Sequence, residues 1–218
     1  MIERISPRQF HEADGVEDWR VLGDGACTFF RTGSFAAGVA LVDAIGRLAD
    51  AADHHPDIDL RYGAVTVRLW THEVDGLSER DVDLARQISA VACELGVPAD
   101  PSAVQTVQVT IDALVGPEVM PFWRAVLGYQ DRGDGAEDLI APRGRGPSFW
   151  FQQMDAPRPQ RNRIHIDVWV AHDQAEARIA AMIASGGYLV TDEKAPSWWV
   201  LADAEGNEAC VATWMGRD

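Results

Sequence analysis

The tripeptide His54-His55-Pro56 constrains this chain more than any other feature. Proline has no N–H to donate and disfavours helical geometry in the residue before it, so a helix arriving here must stop. A helix does arrive. From Ser34 to Asp53, the apolar residues Phe35, Val39, Val42, Ile45, Leu48 and Ala52 recur at helical spacing. The histidine doublet therefore stands at a helix C-terminus. Tyr62 to Thr71 reads as a strand, with Val65, Val67 and Leu69 on one face and Tyr62, Thr66, Arg68, Trp70 and His72 on the other. Gly76 ends that segment. Ser78-x-x-Asp81 then opens a second helix as a capping-box-like start, with Val82, Ala85, Ile88, Ala92 and Leu95 as its apolar stripe and Gly96 as its stop.

Half of the chain's six histidines, His54, His55 and His72, thus gather at one helix end and one strand end. Imidazole has the side-chain pKa nearest neutrality, so such a cluster suits proton transfer to and from a small molecule. The same residues admit plainer roles. Histidines at a helix C-terminus complement its dipole. Asp81 caps the second helix, and Tyr62 packs. A three-histidine zinc site is disfavoured, because adjacent histidines seldom both face one ion.

Composition narrows the function classes. The 218 residues allow one large or two small domains, and 47% hydrophobic content supplies packed cores. No run approaches the roughly 20 apolar residues of a membrane span. The start, MIERISPRQF, has no signal-peptide apolar core. Cys27, Cys93 and Cys210 are odd in number and scattered, which fits a reducing cytoplasm without a disulfide framework. A net charge of −15 argues against nucleic acid or an anionic membrane as partner. Lys194 is the sole lysine, an arginine bias typical of GC-rich bacterial genes. Gly96-Val97-Pro98-Ala99-Asp100-Pro101-Ser102, with two prolines among small residues, reads as a linker.

Asp50, the doublet His54-His55 with Pro56, Tyr62, His72 and Asp81 stand in the order and at the intervals of a known signature. In these residues the segment from about Ser6 to Leu95, with Trp19-Arg20 and the Phe30 to Phe35 stretch, resembles the pterin-4a-carbinolamine dehydratase family (4a-hydroxytetrahydrobiopterin dehydratases). The resemblance implies a hydro-lyase that converts a 4a-hydroxytetrahydropterin to quinonoid dihydropterin and water, in tetrahydrobiopterin recycling, with no metal and no cofactor. It implies that His54 and His72 are the acid/base pair and that His55 positions the pterin. Asp53, Trp70, Thr71 and Glu73 match positions that line the family's substrate pocket. Trp70 replaces a residue that is often small and polar there, which bears on the pocket's shape. The expected architecture is α+β: an antiparallel sheet covered on one face by the Ser34 and Ser78 helices, spanning residues 1–97. The resemblance also implies a homodimer or homotetramer, and an aromatic amino acid hydroxylase pathway as the source of substrate.

The remaining half has its own pattern. A strand over Val104 to Ile111 precedes a helix around Pro117 to Leu127. Strands follow at Asp138 to Ala141, Ser148 to Gln153 and Arg163 to Val170. A helix over Gln174 to Ser185 precedes strands at Tyr188 to Thr191, Trp198 to Ala202 and Ala209 to Trp214. The order βαβββ occurs twice. With Phe122-Trp123 before Leu127-Gly128, Asn162-Arg163-Ile164-His165-Ile166-Asp167, and Asp203-Ala204-Glu205-Gly206-Asn207-Glu208, residues 104–218 are similar to the glyoxalase-like, vicinal-oxygen-chelate family. That similarity implies a cupped sheet from paired βαβββ modules. It places Gln105 and His165 at two metal-ligand positions, puts the third among Phe149, Trp150 and Phe151, and puts Cys210 where a glutamate is usual. This falls short of the three protein ligands of a catalytic metal. His165 reads equally as a satisfied strand residue. The aromatics Phe149, Trp150, Phe151, Trp169, Trp198 and Trp199 suit a pocket floor, a core or a dimer interface.

Three readings follow. The first is a pterin dehydratase with an appended glyoxalase-like module. In the second, the C-terminal half is a metal-dependent enzyme or a resistance-type small-molecule binder, and the dehydratase half is vestigial. In the third, the chain is a non-enzymatic dimerisation module, since animal relatives of the dehydratase bind a transcription factor. The intact three-histidine pattern favours the first.

Overall fold

The structure is a computed structural model. It describes residues 2–23, 25–132, 138–157, 165–170, 174–213 and 215–216. The chain divides into two compact units, Met1–Thr106 and Val107–Asp218. Among the described residues no helix is long and apolar enough to cross a membrane.

The first unit is α+β. A short helix α1 (Pro7–Glu12) precedes strands β1 (Arg20–Leu22) and β2 (Gly25–Arg31). Helix α2 (Phe35–Ala52) leads to strands β3 (Asp57–Arg61) and β4 (Ala64–Leu69), and helix α3 (Glu79–Glu94) follows. The sheet is antiparallel throughout, in the order β1-β2-β4-β3. Val65, Val67 and Leu69 of β4 are fully buried against Leu41 and Ile45 of α2 and Val82, Ala85 and Ile88 of α3. Alternation along β4 thus gives the sheet one face that both helices cover. Truncating a core side chain such as Ile88 to Ala costs about 2–5 kcal/mol.

Several sequence expectations change here. Tyr62 is not in the strand. It is 80% exposed in the two-residue turn that joins β3 to β4, where Arg61 pairs with Ala64. The strand β3 carries no expected element, because Asp57, Asp59 and Arg61 dilute its apolar signal to Ile58 and Leu60. The buried face of α2 is also rotated from the expected stripe. Gly38, Leu41, Ala44, Ile45 and Ala49 face inward, whereas Phe35 and Val39 are 50% and 46% exposed. Gly38 lies on this inward face, where a Cβ would come within 2.5 Å of Leu60 Cδ1, so a larger residue there would need that side chain to shift. Leu95, expected on the α3 stripe, caps that helix and is exposed.

The second unit repeats one motif. Strand β5 (Gln108–Ala113), helix α4 (Gly116–Leu127) and strands β6 (Gln130–Asp131), β7 (Asp138–Ile140) and β8 (Ser148–Gln153) form the first module. Strand β9 (Ile166–Trp169), helix α5 (Ala175–Ala184) and strands β10 (Tyr188–Thr191), β11 (Trp198–Ala202) and β12 (Glu208–Ala212) form the second. The sheet orders are β5-β8-β7-β6 and β10-β11-β12-β9. In each module the first and last strands pair in parallel and the other neighbours are antiparallel. The expected strand over Arg163 to Val170 begins outside the described residues, as does the Trp214 end of the last strand.

The Asp203 to Glu208 motif joins the modules. Asp203 accepts hydrogen bonds from the Trp123 indole at 2.9 Å and from the Asn207 backbone at 2.8 Å. Glu205 accepts from the backbone N–H groups of Leu114 and Val115 at 2.8 and 2.9 Å. Val115 precedes α4 and has no capping side chain of its own, so a carboxylate from the second module serves the helix start of the first.

Candidate active site

The end of α2 sets the geometry. Asp53 adopts a left-handed conformation (φ 48°), and the chain turns back on the helix. The His54 N–H donates to the Ala49 carbonyl at 3.1 Å and the Asp53 N–H to Asp50 at 3.3 Å. This is the bond pattern of a Schellman motif, with aspartate where glycine is usual. Aspartate tolerates the left-handed region better than most side chains.

His54 is thereby aimed inward. It is 6% exposed, and its Nε2 lies 2.8 Å from Asp81 Oδ1. Asp81 is fully buried at the start of α3. Its other oxygen, Oδ2, accepts from the Thr71 hydroxyl at 2.6 Å and the Ser78 N–H at 2.7 Å. The Thr71 and Ser78 hydroxyls are themselves 2.7 Å apart. Burial pushes the Asp81 pKa up. The hydrogen bonds from His54, Thr71 and Ser78, together with the charge of His54, outweigh that and hold its carboxyl below the ordinary value. An ionised Asp81 accepts only, so its neighbour His54 Nε2 carries the proton and Nδ1 is the basic nitrogen. Asp81 is therefore both the expected cap of α3 and the partner of His54. The second role depends on a contact between residues 27 positions apart.

His72 opens the short loop that follows β4. Thr71 and Gly76 form an isolated antiparallel bridge, with the Thr71 N–H donating to Gly76 at 2.8 Å. That bridge closes a loop whose first residues, His72–Val74, make a 3-10 turn. The loop ends on Asp75, the second non-glycine residue with positive φ (46°). The His72 side chain is exposed and meets the Trp70 ring edge-to-face at 4.4 Å. Arg68 lies 5.6 Å from the centre of the Trp70 ring. The Trp70 indole N–H is buried without a hydrogen-bond partner. Thr71 links the two segments, because its hydroxyl shares Asp81 with His54 while its main chain begins the His72 loop.

His55 differs from His54. It is exposed, with Nε2 3.1 Å from Asp50 Oδ1 on the last turn of α2. Such an exposed pair is worth about 0–1 kcal/mol. Arg80, which the sequence reading does not single out, bridges the two segments. Its guanidinium donates to the carbonyls of Ala52 (3.3 Å) and Asp53, and to Glu73 Oε1 at 3.3 Å. One cation thus complements the C-terminal dipole of α2 and ties it to the His72 loop.

Of the metal-ligand positions expected for the second half, Gln105 is not on a strand, because β5 starts only at Gln108, and it lies in the first unit. Phe149 and Phe151 are core residues, whereas Trp150 between them is 40% exposed on the opposite face. Strand alternation therefore splits the expected aromatic floor. Trp199 packs on the core, and the Trp169 side chain lies outside the described residues. His165 and Cys210 do come together, joined by Asp167.

Comparison with known proteins divides the chain in the same two halves. A family model described as pterin 4 alpha carbinolamine dehydratase matches residues 3–91, and one described as a glyoxalase-like domain matches residues 108–212. A protein of Nocardia farcinica named "Putative pterin-4-alpha-carbinolamine dehydratase" is 44% identical over 91 residues, which are 41% of this chain and 96% of the relative. A protein of Roseiflexus with the same name is 39% identical over 92 residues, 42% of this chain and 99% of the relative. A solved glyoxalase/bleomycin resistance protein/dioxygenase family enzyme from Burkholderia phytofirmans shares 16% identity over 49% of this chain and 95% of its own, with a TM-score of 0.36.

Proposed function

The chain belongs to the pterin 4 alpha carbinolamine dehydratase family through its first half, and on that premise we propose that the first unit dehydrates a 4a-hydroxytetrahydropterin. The observation that carries this reading is the buried His54–Asp81 pair, tied through Thr71 to the loop that presents His72. In the reaction the carbon–oxygen bond at C4a breaks and the hydroxyl leaves as water, having taken a proton. The neighbouring ring N–H gives up its proton as the new double bond forms, and quinonoid dihydropterin results. Two imidazoles, one to give and one to take a proton, meet these needs.

His54 is the base in this scheme. Asp81 holds its Nε2–H and stabilises the imidazolium that forms when Nδ1 takes the ring proton, the general logic of a base oriented by a third group. His72 is the acid, placed on the open side to donate to the leaving hydroxyl. Trp70 steers its ring. His55, Asp53, Thr71 and Glu73 complete the substrate-binding set, with His55 held by Asp50. We place the dehydratase domain at residues 1–97 and the glyoxalase-like domain at 104–218, in a cytoplasmic protein supplied with substrate by a pterin-dependent hydroxylase. Exposed Phe35 and Val39 on one face of α2 support assembly into at least a homodimer. A monomeric mass by light scattering would contradict that part.

The test of the activity is direct. Chemically or enzymatically generated 4a-hydroxytetrahydropterin is followed in the ultraviolet with and without the full chain. The protein should accelerate formation of the quinonoid product. An unchanged rate rules the reading out.

A further inference from the structure

The alternation of β4 runs on past the end of the strand. Arg68, Trp70 and His72 are spaced two apart, and Thr71 before the loop is still extended (φ −93°, ψ 109°). The three side chains therefore form a row on the sheet face opposite Val65, Val67 and Leu69. The Arg68 guanidinium lies 5.6 Å from the centre of the Trp70 ring, and that ring meets the His72 imidazole edge-to-face at 4.4 Å. Arg68 is held from both neighbouring strands. On β3, Asp57 Oδ2 is 3.6 Å from its Nη1. On β2, Gly25 makes room for it: a Cβ there would lie 2.7 Å from Arg68 Nε and 2.9 Å from the Leu69 carbonyl oxygen.

The indole is placed by its ring and not by its N–H, which is buried with no hydrogen-bond partner among the described residues. An unpaired buried donor costs free energy, and the ring contacts with a cation and an imidazole oppose that cost. The same contact orients His72. Among the described residues no hydrogen bond or ion pair holds its side chain, so the Trp70 ring is what limits its rotation.

We propose that Arg68 is a positioning residue for the dehydration: it fixes the Trp70 ring, and the ring fixes the His72 imidazole in the orientation from which it gives up its proton. The inference rests on the reading of His72 as the acid. It goes beyond that reading by giving a role to Arg68, which lies outside the residues that carry the family resemblance and acts through its neighbour.

Variants of the full chain test it in two ways. In the dehydration assay Arg68→Gln should lower kcat about tenfold with KM little changed, short of the roughly 10²-fold that a 1 Å misplacement can cost. Arg68→Lys keeps a cation for the ring and should recover most of that loss. Because Arg68 acts through Trp70, the Arg68→Gln/Trp70→Leu double variant should be no slower than Trp70→Leu alone. The second readout does not depend on activity. The imidazole C–H resonances of His72, identified by their loss in His72→Ala, carry the ring-current shift of Trp70. Arg68→Gln should move them towards their positions in Trp70→Leu, and Arg68→Lys should leave them near those of the native chain. A raised KM with kcat intact, additive losses in the double variant, or His72 resonances unmoved by Arg68→Gln would overturn the inference while dehydration itself stands. No dehydration by the native chain would overturn it together with the reading beneath it.

Discussion

Each unit contains a histidine–carboxylate pair, and the two pairs are built differently. His54–Asp81 is sealed: the carboxylate is fully buried, and its second oxygen is occupied by Thr71 and Ser78. His165–Asp167 sits at a strand rim with both side chains half exposed and a cysteine beneath them. Burial with full hydrogen bonding turns the first pair into a rigid orienting device, because every alternative position leaves a buried charge unpaired. Exposure leaves the second pair with donor capacity facing outward. In the proposed dehydration the sealed pair orients a base, whereas the exposed pair keeps its polar atoms towards solvent.

The largest effect that separates the pairs is on turnover. His54→Ala and His72→Ala should each lower the dehydration turnover number by about 10²–10⁴-fold, the scale of a positioned proton-transfer group. His165→Ala and a chelator should leave that rate unchanged. A rate that falls on chelation would erase the distinction between the two units.

Stability comes next. Asp81→Ala leaves His54, Thr71 and the Ser78 N–H without their shared acceptor. Breaking a buried pair in this way costs about 3–5 kcal/mol, to be read as a lowered midpoint in urea denaturation. His165→Ala should shift that midpoint little. The pH dependence has a definite sign. The folded Asp81 pKa lies below its ordinary value of 3.8, so the unfolded chain binds this proton first. The stabilisation is fully present above that value and is lost as pH falls through the lowered folded pKa. The native chain should therefore be the more stable above about pH 4, and its stability should converge on that of Asp81→Asn as pH falls below that value. A difference that persists undiminished into acid would contradict this account.

The smallest effect sharpens the contrast within the first unit. His55 has only an exposed partner, so His55→Ala should act mainly through KM, with kcat little changed. A loss of kcat as large as that of His54→Ala would make His55 the proton-transfer group instead.

Much of this was legible before the structure. The cap at Ser78, the stop imposed by Pro56 and the doubled βαβββ order are local signals, and local signals survive folding. Tertiary pairings are different. The alternation Ile58, Leu60 in β3 was hidden by its charged neighbours. The inward face of α2 follows from its packing against the sheet and α3, which only the assembled fold reveals. In the candidate site, the end of α2 and the position of His72 follow from sequence. Asp81 as the partner of His54, Arg80 as the bridge and Asp167 beside Cys210 do not, because each contact joins segments whose proximity is set by the whole fold.

The most direct test of the central claim is the turnover of the His54→Ala/His72→Ala double variant on 4a-hydroxytetrahydropterin, measured beside the unsubstituted chain and with circular dichroism to establish that both are folded. If the two histidines are the acid and the base, the folded double variant should fall below either single variant and approach the uncatalysed rate. Full activity in that variant would contradict the account.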